Sequence, residues 1–403
     1  MNPLWLSIIG IGEDGIEGLN QTARALIAGA TLVIGGERHL RLADELITGE
    51  RHLWPRPINA ALPALLARRP APVAVLASGD PFWFGVGPML ASGVPSGEWR
   101  CIPAPSSLSL ACARLGWSAQ TATTISFCGR SIELLCGFLG SGQKIIGLSE
   151  DSSTPAAVAG LLTKMGYGPS EITVMEALGG PAERIRTTTS SAFDFTGIHA
   201  LNILAITPQL EHGMSALPLS TGISDDHYAN DGQLTKREIR SVTLASLAAR
   251  HGELLWDIGA GAGSIAIEWL RQHSSLSAIA IEENPDRLSR IATNAARLAA
   301  PQLRLVKGHA PEALANLPTP DAIFIGGGAT DAGVVDIAWT ALRSGGRLVI
   351  NAVTIETEAA LFNLQRRHGG TLTRISVERL VNVGTMHGFR PAMSVTQWAA
   401  AKP

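Results

Sequence analysis

Leu254-Leu-Trp-Asp-Ile-Gly-Ala-Gly-Ala-Gly-Ser264 is the stretch on which the fold of this chain turns. Its first five residues are apolar but for Asp257, which predicts a buried strand over Leu254–Ile258. Glycines follow in the spacing G-x-G-x-G, and Ile265–Arg271 reads as the helix that they open into. Glycine lets backbone pass close to a ligand, and a helix N-terminus offers unpaired N–H groups. A tight strand-to-helix turn with no ligand looks similar, so the turn alone settles nothing about function.

Its neighbours narrow the reading. The next strand, Ala278-Ile-Ala-Ile-Glu282, ends in a carboxylate about twenty residues further on, where a ribose diol can be accepted bidentately. The glycine spacing departs from the G-x-G-x-x-G that cradles a pyrophosphate, and S-adenosylmethionine has no phosphate, so the departure favours it over NAD. Val306-Lys-Gly-His-Ala-Pro311 follows a third strand, Leu303–Lys307, and Pro320-Asp-Ala-Ile-Phe-Ile-Gly-Gly-Gly328 carries a fourth. All four strand ends are expected at one crevice, the ligand site of an open α/β sheet.

The first half repeats the grammar of short apolar run, Ala- and Leu-rich helix, then another apolar run. Strands are predicted there at Leu4–Ile9, Thr31–Ile34, Val73–Ala77, Thr124–Ser126, Lys144–Gly147, Ile172–Met175 and Ile203–Ile206. Further strands are predicted at Arg347–Asn351 and Thr371–Val377. A boundary is expected within Thr207–Asp231, where Pro208, Gly213, Pro218 and Gly222 cluster.

At 403 residues the chain is too long for one ordinary core, so two or more domains are expected. With 46% hydrophobic and 16% charged residues it is globular, not disordered. The 32 Lys+Arg against 34 Asp+Glu make no basic field to attract nucleic acid or an anionic membrane, so an anionic ligand must be held by local pockets. No run approaches the ~18 apolar residues of a membrane span. Met1–Gly15, broken by Gly10 and Gly12 and lacking a basic leader, reads as a first strand and turn and not as a signal peptide. Cys101, Cys112, Cys128 and Cys136 form no CxxC pair and have no histidine at zinc-like spacing; thiols in a reducing cytoplasm are expected, and no metal site.

Seven segments of the second half then become recognisable together. Gly222-Ile-Ser-Asp-Asp226, Leu234-Thr-Lys-Arg-Glu-Ile-Arg240, Trp256-Asp-Ile-Gly-Ala-Gly261, Ile281-Glu-Glu-Asn-Pro285, Gly308-His-Ala-Pro-Glu-Ala-Leu314, Ile325-Gly-Gly-Gly328 and Asn351-Ala-Val-Thr-Ile-Glu356 resemble the C15-methylating, decarboxylating domain of cobalamin biosynthesis. The T-K-x-E-I-R and N-A-V-T-x-E segments are not general methyltransferase features, which makes the resemblance specific. It implies contacts to S-adenosylmethionine from Thr235, Asp257, Gly259, Ala260, Gly261, Ala262, Gly263, Glu282, Ala310 and Gly326. His309 stands where many relatives have Asp.

The first half resembles the tetrapyrrole methylase fold, in particular its C5-methylating branch of the corrin pathway. Ile9-Gly-Ile-Gly-Glu-Asp-Gly15, Val33-Ile-Gly-Gly-Glu-Arg-His39, Ala77-Ser-Gly-Asp-Pro-Phe-Trp-Phe-Gly85, Pro103-Ala-Pro-Ser-Ser-Leu-Ser109, Phe127-Cys-Gly-Arg130 and Glu176-Ala-Leu-Gly-Gly180 carry that likeness. Asp80 before Pro81 is forced away from helical geometry, which kinks the loop. Members of the fold bind a folded S-adenosylmethionine between two α/β lobes. The resemblance points to Gly79, Asp80, Trp83, Ser106, Ser107 and Cys128, with Gly10 and Gly12 lining the trough, and Glu13 replaces the Pro usual in sibling enzymes.

Together the two resemblances imply an α/β chain. A two-lobed tetrapyrrole methylase domain at 1–209 methylates C5, a linker spans 210–217, and a Rossmann-like class I S-adenosylmethionine-dependent methyltransferase domain at 218–403 methylates C15 and decarboxylates. The expected substrate is a precorrin macrocycle, losing its ring C (C12) acetate carboxyl to give precorrin-8X, with one S-adenosylmethionine per domain. Two alternatives stay open: a cobalt-containing substrate, towards which a fused chain leans less, and one half serving as a non-catalytic binding or channelling module. A cytoplasmic homo-oligomer is expected, with neighbouring pathway enzymes as candidate partners.

Methyl transfer from a sulfonium needs positioning more than acid or base, worth ~7–11 kcal/mol, which fits a sequence without a Ser-His-Asp or paired-carboxylate constellation. Lys236, Arg237 and Arg240, at helical spacing, are candidates to orient substrate carboxylates, with a solvated helix face as the other reading. Asn351 and Glu356, after the fifth strand, are candidates to position the ring or shuttle a proton, a capping or surface role being the alternative. Arg38, His39 and Arg130 are the corresponding anion-binding candidates of the first half. Arg68-Arg69 and Arg366-Arg367 read as solvated surface, and the nine tryptophans mostly as core or cleft lining.

Overall fold

Strands of four to seven residues build the three main sheets of the computed structural model, which describes residues 4–140 and 142–403. Met1–Pro3, at the head of the expected first strand and turn, lie outside the described residues. Two compact units form, one from the residues up to Ile132 with Gly140–Met214, the other from Glu133–Leu139 with Ser215–Pro403.

The first unit holds two five-stranded sheets. Strands β1 (Leu6–Ile11), β2 (Leu32–Gly35), β3 (Glu50–Leu53), β4 (Val73–Ser78) and β5 (Trp99–Ile102) pair in parallel in the order β3-β2-β4-β1-β5. Strands β6 (Thr123–Ser126), β7 (Ile145–Leu148), β8 (Glu171–Glu176), β9 (Arg184–Thr189) and β10 (Asn202–Thr207) follow as β6-β7-β10-β8-β9, antiparallel except for β6 with β7. Both β1 and the inner part of β4 are buried, as strands covered on two faces must be. The sequence reading missed β3, β5 and β9. Two of these, Glu-Arg-His-Leu and Arg-Ile-Arg-Thr-Thr-Thr, are edge strands with charged side chains, which protect an edge but erase the apolar signal.

In the second unit β11 (Leu254–Ile258), β12 (Ser277–Glu282), β13 (Arg304–Lys307), β14 (Ala322–Ile325) and β15 (Arg347–Ala352) are the parallel strands expected. Beyond them come β16 (Thr371–Ile375), a hairpin of β17 (Glu378–Val383) and β18 (Met386–Pro391), and β19 (Val395–Ala401). The sheet runs β13-β12-β11-β14-β15-β19-β16, with β19 antiparallel to both its neighbours, and the hairpin pairs only with itself. β19 reads Val-Thr-Gln-Trp-Ala-Ala-Ala, and its alanines and glutamine carry little strand preference, so only the two neighbours that bury it make it a strand. The order reverses between β11 and β14, which opens a crevice at their carboxyl ends. Trp256, Trp269 and Trp398 are fully buried in this unit's core. Among the described residues no helix is long and apolar enough to cross a membrane.

Candidate active sites

A cavity of about 680 Å³ fills the crevice of the second unit, within the range of small-molecule sites. Gly259, Ala260 and Gly261 form its floor; Ile281 and Glu282 from β12, Gly308–Ala310 after β13 and Gly326–Gly328 after β14 form one wall. Gln233–Lys236, Glu238, Asn351, Val353, Val377, Arg379 and Met393 form the other. Of the residues expected at the donor, Thr235, Gly259, Ala260, Gly261, Glu282, Ala310 and Gly326 are thus brought to one space.

The electrostatics of the glycine turn decide what it can hold. Gly259 and Ala260 both donate their N–H to the Ile281 carbonyl, and Gly263 donates to the Ala260 carbonyl. Glu282, only 4% exposed, accepts from Gly261 N at 2.9 Å and from Asn284 N at 3.1 Å. The turn therefore spends its donors on the protein and presents a carboxylate. Four of its N–H groups are thus taken by the protein, and the buried Glu282 carboxylate disfavours a pyrophosphate, whereas a sulfonium and a ribose diol suit it. This chemistry fits an S-adenosyl ligand.

Other candidates stand off the cavity wall, which corrects the sequence reading. Ala262 is core, and Gly263, at φ +75°, starts the helix Ser264–Gln272 in a conformation where a Cβ would sit 2.7 Å from Ile291. Glu356 is exposed in the first turn of the helix Ile355–His368, where it suits the helix dipole and touches nothing catalytic. Asn351 does reach the cavity, but its amide is held by Thr243 Oγ1 at 2.9 Å and Gln397 Nε2 at 2.9 Å, so it positions and carries no proton. Lys236 is half-exposed on the wall, 3.9 Å from Asp225.

Arg240 is the largest correction. Its side chain is wholly buried, so no substrate carboxylate reaches it. Nε donates to Glu268 at 2.5 Å, Nη1 to Asp225 at 3.1 Å and to the Thr235 carbonyl, and Nη2 to the Ile223 carbonyl, while Tyr228 stacks 4.7 Å from the guanidinium. Glu268 also accepts from Gly222 N, Ile223 N and Tyr228 Oη. The T-K-R-E-I-R segment thus ends in a hub that ties Gly222–Tyr228 and Thr235 to the helix behind the glycine turn.

Asp257 lies beneath the turn, where one carboxylate oxygen accepts from Ala266 N at 3.0 Å and the other has no partner among the described residues. Burial, opposed by that bond and reinforced by Glu282, pushes its pKa up to about 7. The folded value lies above the unfolded one, so the folded state keeps a proton that the unfolded state has lost between about pH 4 and 7. Stability should fall across that window by ~1.4 kcal/mol per pH unit and level off above it. Asp257→Asn keeps the bond to Ala266 and is expected to abolish that slope. Urea unfolding of parent and variant from pH 4.5 to 8 checks this, and parallel profiles would refute it.

In the first unit Gly10, Gly12, Gly79 and Asp80 lie at the carboxyl ends of β1 and β4, with Ser106 close to Gly79. A Cβ on Gly10 would fall 1.8 Å from the Gly79 carbonyl oxygen and 2.5 Å from Ala104 N, so this crossing admits only glycine. Gly79, at φ +50°, packs its Cα against Pro105 and Ser106. Asp80 accepts from Phe82 N at 2.8 Å, closing the expected kinked loop; Ser106 caps the helix Ser107–Leu115 by accepting from Ser109 N. Trp83 packs against the core of the second sheet, with Leu108. Gly12 abuts the Asp14 carboxylate, and Cys128, after β6, donates its thiol to the Ser149 carbonyl at 3.3 Å.

The anion-binding candidates here also change role. Arg38 pairs with Glu13, the residue that replaces the usual Pro, and donates to Ser78 Oγ at 2.7 Å. His39 lies 2.8 Å from Ser78 Oγ, and burial, then Arg38, pulls its pKa down to about 4, so it is neutral and does not attract anions. Ser78 was not singled out from the sequence, and only its position at the end of β4 marked it. Arg130 is exposed.

Comparison with known proteins adds to this geometry. Residues 226–402 match the family described as precorrin methyltransferase domain, and residues 6–194 that described as tetrapyrrole (corrin/porphyrin) methylases. A protein of Sinorhizobium sp named precorrin-6Y C(5,15)-methyltransferase [decarboxylating] is 50% identical over 398 residues, covering 99% of this chain and 96% of its own. A Mycobacterium tuberculosis (strain ATCC 25618 / H37Rv) protein of the same name is 39% identical over 400 residues, covering 98% and 99%. A cobalt-precorrin-6B C(15)-methyltransferase (decarboxylating) of Salmonella typhimurium is 33% identical over 164 residues, 39% of this chain and 83% of its own.

Proposed function

The chain belongs to the precorrin-6Y C5,15-methyltransferase (decarboxylating) family, and on that premise we propose that it methylates a precorrin at C5 and C15 and removes the C12 acetate carboxyl, in cobalamin biosynthesis. The C5 step falls to the tetrapyrrole methylase part, 1–209, and the C15 step with decarboxylation to 218–403, each with its own S-adenosylmethionine and joined through 210–217. The observation that carries this reading is the glycine turn of the second unit, where Gly259, Ala260, Gly261 and Gly263 donate within the protein while Glu282 lines the cavity.

S-adenosylmethionine, when bound, supplies an electrophilic methyl group on a sulfonium that leaves as a neutral thioether. Glu282 would accept the ribose hydroxyls, with Gly259–Gly261, Thr235, Ala310 and Gly326 shaping the space around them; Asp257 acts through the turn by holding Ala266. In the first unit the proposed contacts are Gly10, Gly12, Gly79, Asp80, Trp83, Ser106, Ser107 and Cys128. The macrocycle is electron-rich at its meso carbons, so C5 and C15 attack directly. When the ring C arm loses carbon dioxide, its electrons pass into a conjugated protonated imine of the ring. Ile239, Val353 and Met393 keep part of the cavity apolar, and Lys236 orients carboxylate arms.

The two full-length relatives carry names without cobalt, whereas the cobalt-precorrin name belongs to a relative matching less than half of this chain. That favours the metal-free precorrin. Incubating the intact chain with the precorrin and isotopically labelled methyl donor should give a product with two labelled methyl groups and one carboxyl lost, and equilibrium dialysis should find two donors bound per chain. A product with one methyl group, or one donor bound at saturation, contradicts the two-site reading.

A further inference from the structure

The cavity of the second unit is lined from two sets of elements. One set is the glycine turn with the Glu282 carboxylate; another supplies Lys236, Arg379, Val353, Val377 and Met393. Arg379 comes from the β17–β18 hairpin, which none of the strands expected from the sequence covers. In that hairpin Arg379 stands directly opposite Arg390, so both side chains leave the same face of the ribbon. Like charges in directly opposed positions destabilise a ladder, and here the ladder has no third strand to support it. Among the described residues Arg379 is paired with Glu238, itself on the cavity wall, and Arg390 with no carboxylate.

We propose that Arg379 and Arg390 are specificity-determining residues that read the carboxylate arms of the macrocycle, an inference that rests on the function proposed above. An arginine fork takes a carboxylate bidentately, and an incoming arm would replace Glu238 as the partner of Arg379. In the same cavity as Arg379, Val353, Val377 and Met393 offer apolar surface to the body of a flat ring. Apolar lining and arginine together select a planar polycarboxylate over an uncharged ring. The arms held there are the ones that survive the reaction. A carboxyl that leaves as neutral carbon dioxide would lose its ion pair on the way, so an arginine on it would stabilise the ground state and slow the step.

Arg379→Ala, Arg390→Ala and the double variant, made in the intact chain, test this by product analysis with the precorrin substrate. The KM for C15 methylation and carbon dioxide release is expected to rise roughly 10-fold or more for Arg379→Ala, and further in the double variant, as loss of a charge-assisted contact implies. The kcat should change much less, and Arg379→Lys should recover only part of the KM. C5 methylation in the same samples should stay at the parental level and serves as the control for folding and substrate. A parental KM in the double variant overturns the proposal and leaves the proposed function standing. A rise in kcat beside the higher KM overturns it also, because it would place the arginines on the reacting arm, and so does a fall in kcat alone, because the arginines would then act in the chemical step and not in binding. A parent chain that releases no carbon dioxide overturns both readings.

Discussion

Glu282→Ala is expected to abolish methylation at C15 and carbon dioxide release while C5 methylation continues. Glu282 ends β12 almost fully buried, with one oxygen on Gly261 N and the other on Asn284 N. It holds the floor of the cavity to its wall and is the proposed acceptor for the ribose hydroxyls. Alanine removes both at once, leaving two backbone donors unpaired and the diol without an acceptor. Each lost hydrogen bond to a charged group costs ~1.5–3 kcal/mol, so donor affinity at this site should fall by at least ~100-fold. Glu282→Gln keeps the shape and one acceptor and should lose less. Mass analysis of the product, with donor binding measured by calorimetry, checks both; C15 methylation at the parental rate in the alanine variant would sink the assignment of the donor site.

Arg240→Ala is the second large effect, and it should appear as instability, not as a change in substrate affinity. Removing the guanidinium leaves Glu268 buried and uncompensated, which typically costs ~3–5 kcal/mol. It also releases the carbonyls of Ile223 and Thr235, so Gln233–Lys236 loses its tether to the helix Ser264–Gln272. Hydrogen exchange of that helix should accelerate by orders of magnitude, and C15 chemistry should fade with the folded fraction. Pairing Arg240→Met with Glu268→Leu should restore only part of the protection: it removes the uncompensated charge but leaves Gly222 N, Ile223 N and Tyr228 Oη without their acceptor. Protection like that of the parent, with only KM altered, would return Arg240 to the substrate.

The contrast between Arg240 and Arg379 shows where sequence reading reached its limit. Both are arginines beside cavity residues, and the T-K-R-E-I-R segment advertised the wrong one. In a helix, residues three or four apart share a face, but the pattern does not say whether that face meets solvent, ligand or core. Arg240 points at Glu268, a residue 28 positions away that no local pattern connects to it. Arg379 sits in a hairpin whose own signal was present. Gly384-Thr385 links two strands of alternating side chains, with glycine at positive φ first in the two-residue loop. His39 is a similar case, since its neutrality comes first from burial, which its local sequence does not reveal, and only then from the adjacent Arg38.

The parallel strands, the glycine turn, Glu282 and the division into two α/β halves are local statements. Apolar runs, turn chemistry and spacing express them within about thirty residues, so the sequence by itself determined them, along with the resemblance to two methyltransferase families. Which charges are free to meet a substrate is a statement about distance and dielectric. Burial cancels Arg240 against Glu268 and discharges His39, while an isolated hairpin brings Arg379 to the cavity, and those outcomes follow only from contacts between segments far apart in the chain. Tertiary structure decided them because electrostatic energy depends on where a group is desolvated and what lies within a few ångströms of it, and neither is written in its local sequence.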